Sequence, residues 1–570
     1  MPGGLLQLVA TGAQNELVNG TPSMTHFRSV YRRHTNFALE QIRMPFTASN
    51  LEFTVTQTRT ISCRIDRIAQ LLHDCYLVLT LPDIYSPLKS IGSSVPPTGY
   101  DPRSNAIGYE FQWIKNIGYN LIDHIDITMN GQVIQRLTGE WMKLYSYMTH
   151  NADKRAVVDQ MTGNVPELYD PANAFDRQNQ YPHAISPTAT PSQMPMTTIP
   201  EPSIRSRQLV IPLHFWFCEN PGLALPLVSL QNSEVYINVT LRALNDLYTV
   251  IDVNPGNTTT YGKRIAPVNY PMSLFLSPPS STGAPSNPSL TTFIPDFYIE
   301  ATFIYLTEME MNQLARADQT FLVKTVKYVN KEGQFGGNTD LEIPMFNLVT
   351  RMVFESQRSD RRLVNDWDNY TNWADPNRAP WTPITSDTGT SLYSTGQQQV
   401  TSVYPRSAII DGVILLDGKE RIATKPFPFF SLQQMYRYVT GQPPVSLPGI
   451  YQYSFALDHD QYQPSGSING SMFNKTTLRL TLQTPLPASV TPEGGPTSSI
   501  VCVLRSTVFN PNPVVIPPAQ VGLYDPSELV TVVQSNNNVI FTFTYNVGVY
   551  VESINFLRIV SGLGSLVFAS

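Results

Sequence analysis

The 570-residue chain is too long for one ordinary core, and its 42% apolar content suffices to fill two. Only 14% of its residues are charged, against roughly a quarter in most soluble proteins, so much of its surface is expected to face partners. The net charge of −6 argues against a chain whose main task is gripping phosphates, and four scattered cysteines (Cys63, Cys75, Cys218, Cys502) with no CxxC pair exclude a disulfide scaffold or zinc finger.

From the N-terminus, Leu5 to Val9 is apolar, but the first basic residue is Arg28, so the charged start of a secretory signal is missing. No run approaches the ~18 apolar residues of a membrane span. The expectation is a soluble chain, or one that joins an assembly after cytosolic synthesis. Thr25 to Phe37 then gathers Arg28, Arg32 and Arg33 with His26, His34 and three aromatics. Through Met44 there are four arginines against two glutamates, too small a surplus for a nucleic-acid arm. These arginines are expected to pair with carboxylates or carbonyls at a domain base or subunit contact.

Alternation of Leu51, Phe53 and Val55 predicts a first strand. His73-Asp74-Cys75 holds the residue types of a thiol nucleophile, but on a strand Asp74 points away from the other two. Ile125 to Ile134 reads as a strand turning at Asn130-Gly131, a hairpin pair that tolerates positive φ. A short helix is expected over 138–148. Val235, Ile237, Val239 and Leu241 predict a strand, and a second short helix follows at 308–316. Asn365 to Asp375 sets Trp367 and Trp373 among carboxylates, the best ligand-like loop, although packing on a neighbour explains it as well. Gly412 to Arg421 is another strand with a turn, at Asp417-Gly418. Ser431 to Val439 predicts a third helix with a serine cap. Asp458-His459-Asp460 resembles a cation loop less than a solvated one, and Gly466 to Gly470 is not a nucleophile elbow. Leu478, Leu480 and Leu482, then Val539 to Val547, predict the last strands. The tail Gly562-Leu563-Gly564 lacks a dinucleotide fingerprint.

Long loops rich in Pro, Ser, Thr, Asn and Gly are expected near 84–106, 152–207, 245–292, 356–406 and 509–528. Of six glycosylation sequons, Asn257 and Asn369 are the candidates because they fall in such loops; Asn238 lies in a strand pattern. No spacing supplies catalytic, cofactor or metal ligands, so the expectation is no enzyme, no cofactor and no metal site.

One order of events occurs twice. Each half has a strand with an Asn-Gly or Asp-Gly turn, then a short aromatic-rich helix, then a proline-led strand (Pro226 to Leu241; Pro464 to Leu482). Gly131 and Gly418 are 287 positions apart, half the chain, which suggests two copies of one all-β domain.

Several blocks resemble the double jelly-roll major capsid proteins of the large nucleocytoplasmic DNA viruses. They are Gly3 to Ala10, Phe27, Val30 to Ala38, Trp113 to Gly118, Leu314 to Arg316, Pro464 to Asn469 and Asn555 to Gly564. The resemblance implies an all-β fold of two tandem eight-stranded jelly-roll sandwiches with long loops and a few short helices. Its expected divisions are an arm at 1–25, a first roll at 26–245, a linker at 246–292 and a second roll at 293–570 with an insertion near 509–528. It implies a homotrimer forming a pseudo-hexameric capsomer in an icosahedral virion, assembled in the host cell cytoplasm. Implied partners are neighbouring capsomers, minor capsid and penton proteins, and an internal viral membrane reached by the arm, without direct nucleic-acid contact. Two other classes stay open. One is a carbohydrate-binding β-sandwich adhesin or fibre using Trp367 and Trp373; the other is a hydrolase on a jelly-roll scaffold.

Overall fold

A computed structural model describes residues 10, 12–47, 51–86, 88–90, 106–178, 180–184, 201–252, 264–265, 267, 271–278, 290–373, 376, 383–384, 392–398, 406–441, 443–484, 501–505 and 543–568. Sixteen of its strands build two sandwiches. The first eight are β1 Phe37–Pro45, β2 Arg59–Arg64, β3 Leu71–Leu81, β4 Ile122–Met129, β5 Gln132–Thr138, β6 Arg207–Pro212, β7 Val235–Leu241 and β8 Tyr298–Leu306. The second eight are β9 Gln319–Gln334, β10 Gly337–Glu342, β11 Leu348–Arg358, β12 Ile409–Leu416, β13 Lys419–Glu420, β14 Ile450–Ser454, β15 Thr476–Leu482 and β16 Tyr545–Val560.

The first sandwich has sheets ordered β1-β8-β3-β6 and β2-β7-β4-β5, and the second has β9-β16-β11-β14 and β10-β15-β12-β13. Adding eight to every label of the first pair reproduces the second. Each unit is a jelly roll of two four-stranded antiparallel sheets. The internal echo is therefore structural. Asn130-Gly131 (φ 51°, 80°) and Asp417-Gly418 (φ 47°, 78°) are the same hairpin in the two rolls, and β7 and β15 are the same strand.

The boundary expected at 292/293 is wrong. Strand β8 pairs with β1 (Leu39↔Ile304) and with β3 (Ile299↔Leu77), so it closes the first roll. Its Ile299, Ala301 and Phe303 enter the first core. The passage to the second roll is the exposed helix Glu308–Arg316, found where the sequence put it. The supposed linker also belongs to the first roll, because Tyr248–Asp252 pairs with Ala106–Trp113. Both rolls carry such an excursion pair. The chain after the third strand and the chain after the seventh return to each other in a small extra sheet. In the first roll this joins 88–113 with 248–265, and in the second Leu392–Gln398 pairs with Val501–Arg505.

Other expectations need correction. Leu51 to Val55 does not form a strand; it is held by the amides of Leu244 and Asn245, which donate to the carbonyls of Thr54 and Val55, and by tilted contacts of the Phe53 ring with Phe293 and Phe297. Within 152–207 lies a helix, Ala152–Thr162, capped by Asn151, whose side chain accepts from the Lys154 amide (2.9 Å). Ser431 is no N-cap, since its hydroxyl donates to Phe427 O inside a π turn that leads into Gln434–Tyr438. The helix Gly139–Thr149 is as expected, with Thr138 as cap. Val539 and Phe541 and the insertion near 509–528 fall outside the described residues. Tyr545 and Val547 begin β16.

The first apolar core does not stop at the first roll. It runs through Trp141 and Tyr147 into Val353, Ile450, Tyr550, Leu557 and Ile559 of the second.

Candidate functional site

Among the described residues, the richest concentration of buried charge lies where the two rolls meet. Helix Gly139–Thr149 of the first roll lies against β11, β16 and the loop 364–373 of the second. Three polar clusters sit along this seam.

The first centres on Asp368. Its carboxylate receives Lys143 Nζ (2.6 Å), Asn116 Nδ2 (2.5 Å) and Asn120 Nδ2 (2.9 Å). Lys143 is fully buried and also donates to Asn120 Oδ1. Burial pushes the Asp368 carboxyl up, but Lys143 and the two amides outweigh it and hold it below the usual carboxylate range. Asn116 takes the left-handed conformation (φ 48°), which Asn tolerates well, and so aims its amide across the seam. The block Trp113 to Gly118 thus has a mechanical role.

The second cluster is Glu140, which accepts from Tyr370 Oη (2.5 Å) and Tyr550 Oη (2.8 Å). The third is Arg351, fully buried. It donates to Glu552 Oε2 through Nε (2.9 Å) and to Asp460 through Nη1 (3.2 Å), its Nη2 lies 2.7 Å from the same Glu552 oxygen as an ion-pair contact, and its guanidinium is 5.4 Å from the Trp141 ring. The buried Lys324 donates to His459 O (3.0 Å) and lies 3.7 Å from Glu219 of the first roll. Such buried ions cost desolvation and fix register rather than add net stability.

The ligand-like loop is part of this seam. Trp367 donates through Nε1 to Asp246 O (3.0 Å), and the Arg242 guanidinium stacks on its ring at 4.2 Å. Asn365 Nδ2 donates to the carbonyls of Asn245 and Tyr248. These groups are committed within the chain, which removes the sugar-binding argument at Trp367. Trp373 is partly buried, with Arg406 5.9 Å from its ring. Asn369 is also buried. Its amide donates to Trp373 O (2.9 Å) and Asp366 Oδ2 (3.3 Å), so the folded chain leaves no room for a glycan at that nitrogen, contrary to the loop-exposure argument. Asn257 lies outside the described residues.

The Asp458-His459-Asp460 loop is not solvated at its centre. His459 is buried between Arg351, Asp460 and Gln452, and burial and then Arg351 lower its pKa. In β3 a bulge at Asp74 brings its carboxylate within 3.4 Å of His73 Nε2, so Asp74 does not point fully away. His73 Nδ1 nevertheless contacts Phe217 O (2.6 Å). The Cys75 thiol is held well above its usual pKa by hydrogen bonding with Cys218 and by burial, the opposite of an activated nucleophile. Cys63 is buried and pushed up to about 12 by burial and Asp66; Cys218 is partly buried. The Cys502 side chain is outside the described residues. A second clasp joins the rolls at the tail, where Gly562 O accepts from Asn232 N and Ser233 Oγ (3.1 Å each).

Outside the seam, the segment before β1 is exposed from Thr21 onward, with Phe27, Val30 and Tyr31 bare, and so are Phe37 and Leu39 at the start of β1. No described residue pairs with Arg28, Arg32 or Arg33; the intrachain partners expected for this stretch exist only at Arg43, which bonds Asp296 (2.5 Å) and stacks on Tyr298.

Residues 25–300 match the family described as major capsid protein N-terminus, and 310–511 match large eukaryotic DNA virus major capsid protein. The major capsid protein of Phaeocystis pouchetii virus is 26% identical over 542 residues, covering 85% of this chain and 93% of that relative. That of Paramecium bursaria Chlorella virus 1 is 25% identical over 572 residues, covering 100% of each. Among solved structures, the quasi-atomic PBCV-1 virus capsid aligns at TM-score 0.57 with 19% identity over 96% of this chain and 100% of that one. The Faustovirus major capsid protein aligns at 0.58 with 12% identity over 97% and 95%.

Proposed function

Because this chain belongs to the double jelly-roll major capsid proteins of the large nucleocytoplasmic DNA viruses, we propose that it is the repeating tile of an icosahedral shell, three copies forming one pseudo-hexameric capsomer. The observation that carries this reading is the repeated strand order locked across a charged, buried seam. Two similar rolls held in one orientation give each chain two similar corners, and three chains then supply six. Contacts within the trimer bury roughly 2,000–5,000 Å², as in obligate assemblies. Contacts between capsomers are smaller, and they hold because many act together. The chain acts by packing, without catalysis, in the virion; it is assembled in the host cytoplasm beside minor capsid and penton proteins. The exposed apolar arm faces inward, toward neighbouring capsid proteins or an internal membrane.

In solution the protein is expected at about 191 kDa, three times 63.7 kDa, with a hexagonal outline in electron micrographs. A monodisperse monomer by light scattering sinks the capsomer reading. Deleting residues 1–24 is expected to leave that trimer intact and to impair shell formation, because the exposed helix Ala13–Asn19 buries nothing in either roll. Loss of the trimer itself contradicts this placement.

A further inference from the structure

The seam holds one carboxyl that its surroundings do not pair. Glu355 on β11 is 1% exposed, and its Oε2 has no hydrogen-bond partner among the described residues. Its other oxygen fits into a notch left by Gly548 on the neighbouring β16, where an added Cβ would lie 2.3 Å from Oε1. The notch is walled by Tyr328 of β9 and Tyr550 of β16, whose rings stand 4.7 Å apart. Tyr550 Oη in turn donates to Glu140 of the first roll. Two carboxyls, one from each roll, therefore share a single buried aromatic box.

The cations nearby, Lys143 and Arg362, act on both carboxyls from a distance, and Arg362 also bonds Tyr328 of the box, but neither hydrogen-bonds Glu355. Lys143 bonds Asp368 (2.6 Å), and Arg362 of the turn Ser359–Leu363 donates to Gln357 Oε1 (2.7 Å). Tyr370, the remaining titratable group facing the box, donates to Glu140. Glu140 thus has two hydroxyl donors to stabilise its charge, and Glu355 has none.

We propose that Glu140 and Glu355 form a proton-held latch across the seam: while Glu355 keeps its proton the rolls stay closed, and its loss sets two buried negative charges against each other and loosens the joint. Burial first, and the Glu140 charge second, raise the Glu355 pKa to about 8 against Arg362 and Lys143, while Lys143, Tyr370, Arg242 and Arg362, against burial, keep Glu140 below the usual range. A folded-state pKa raised above the unfolded one gives stability that is complete below the unfolded value and is lost as pH rises through about 8. The device is thus sensitive to alkali, not acid.

The test uses the full chain and its Glu355→Gln variant, which mimics the protonated form. Hydrogen exchange over 139–149 reports opening. In the native chain it is expected to accelerate by up to about tenfold per pH unit between the ordinary carboxyl range and about 8 and to level off above that, after correction for intrinsic exchange. In Glu355→Gln this acceleration is expected to vanish, and in Glu140→Gln, where burial still acts on Glu355, to shrink. The infrared carbonyl stretch of a protonated carboxylic acid should be visible at pH 7, fade near pH 8, and be missing from Glu355→Gln. Equal pH dependence in native and variant chains overturns the latch. Should the variants fail to fold, a native spectrum without a protonated carboxyl at pH 7 overturns it alone.

Discussion

Replacing Asp368 with alanine is expected to lower stability by about 3–5 kcal/mol, because it strands Lys143 in the interior without its counter-charge. Lys143 has no exposed surface, and among the described residues its ammonium bonds only Asp368 and Asn120 Oδ1. The amides of Asn116 and Asn120 lose their acceptor at the same time. Replacing both charges, as Lys143→Met with Asp368→Leu, is expected to cost much less, since no ion then remains buried. Denaturant titrations of the single and double variants check this. A single variant within about 1 kcal/mol of the native chain removes the seam from the account of stability.

Arg351→Leu is expected to be comparably severe, with a distinctive pH dependence. It leaves Glu552, 1% exposed, without the guanidinium that holds its carboxyl below the usual range against burial. In the native chain the lowered Glu552 pKa stabilises above the unfolded value, and that contribution is lost as pH falls through the folded one. In the variant the largest opposition to burial is gone and only Lys324 and His459 still oppose it, so that contribution shrinks. The two chains should therefore differ by about 3–5 kcal/mol near neutrality and converge in acid. Adding Glu552→Gln should recover part of the loss. A deficit independent of pH would trace the damage to lost packing against Trp141 and Tyr145 instead.

The sequence made the frame legible because its signals are local. The paired hairpin turns need residues that accept positive φ, and Asn-Gly and Asp-Gly announce them directly. Alternation at Val235 to Leu241 and at Leu478 to Leu482 marked the same strand in both rolls. The domain boundary was missed because β8 is adjacent in sequence to the second roll but paired in space with the first, and pairing leaves no local trace. The helix Ala152–Thr162 did have a legible cap in Asn151, hidden by the polar composition around it. At the seam the residues were noticed and their purpose was not. Tryptophans among carboxylates look the same facing a ligand or facing another part of their own chain. Only the partners 117 to 252 positions away separate the two.

The small extra sheets bear on how such a surface can be re-engineered. In both rolls the detours after the third and the seventh strand pair with each other, so neither is an independent tether. An epitope or tag grafted into one detour alone would unzip the strand it leaves behind. A display platform built on this chain has to exchange both arms of the small sheet as one cassette, leaving the sixteen frame strands untouched.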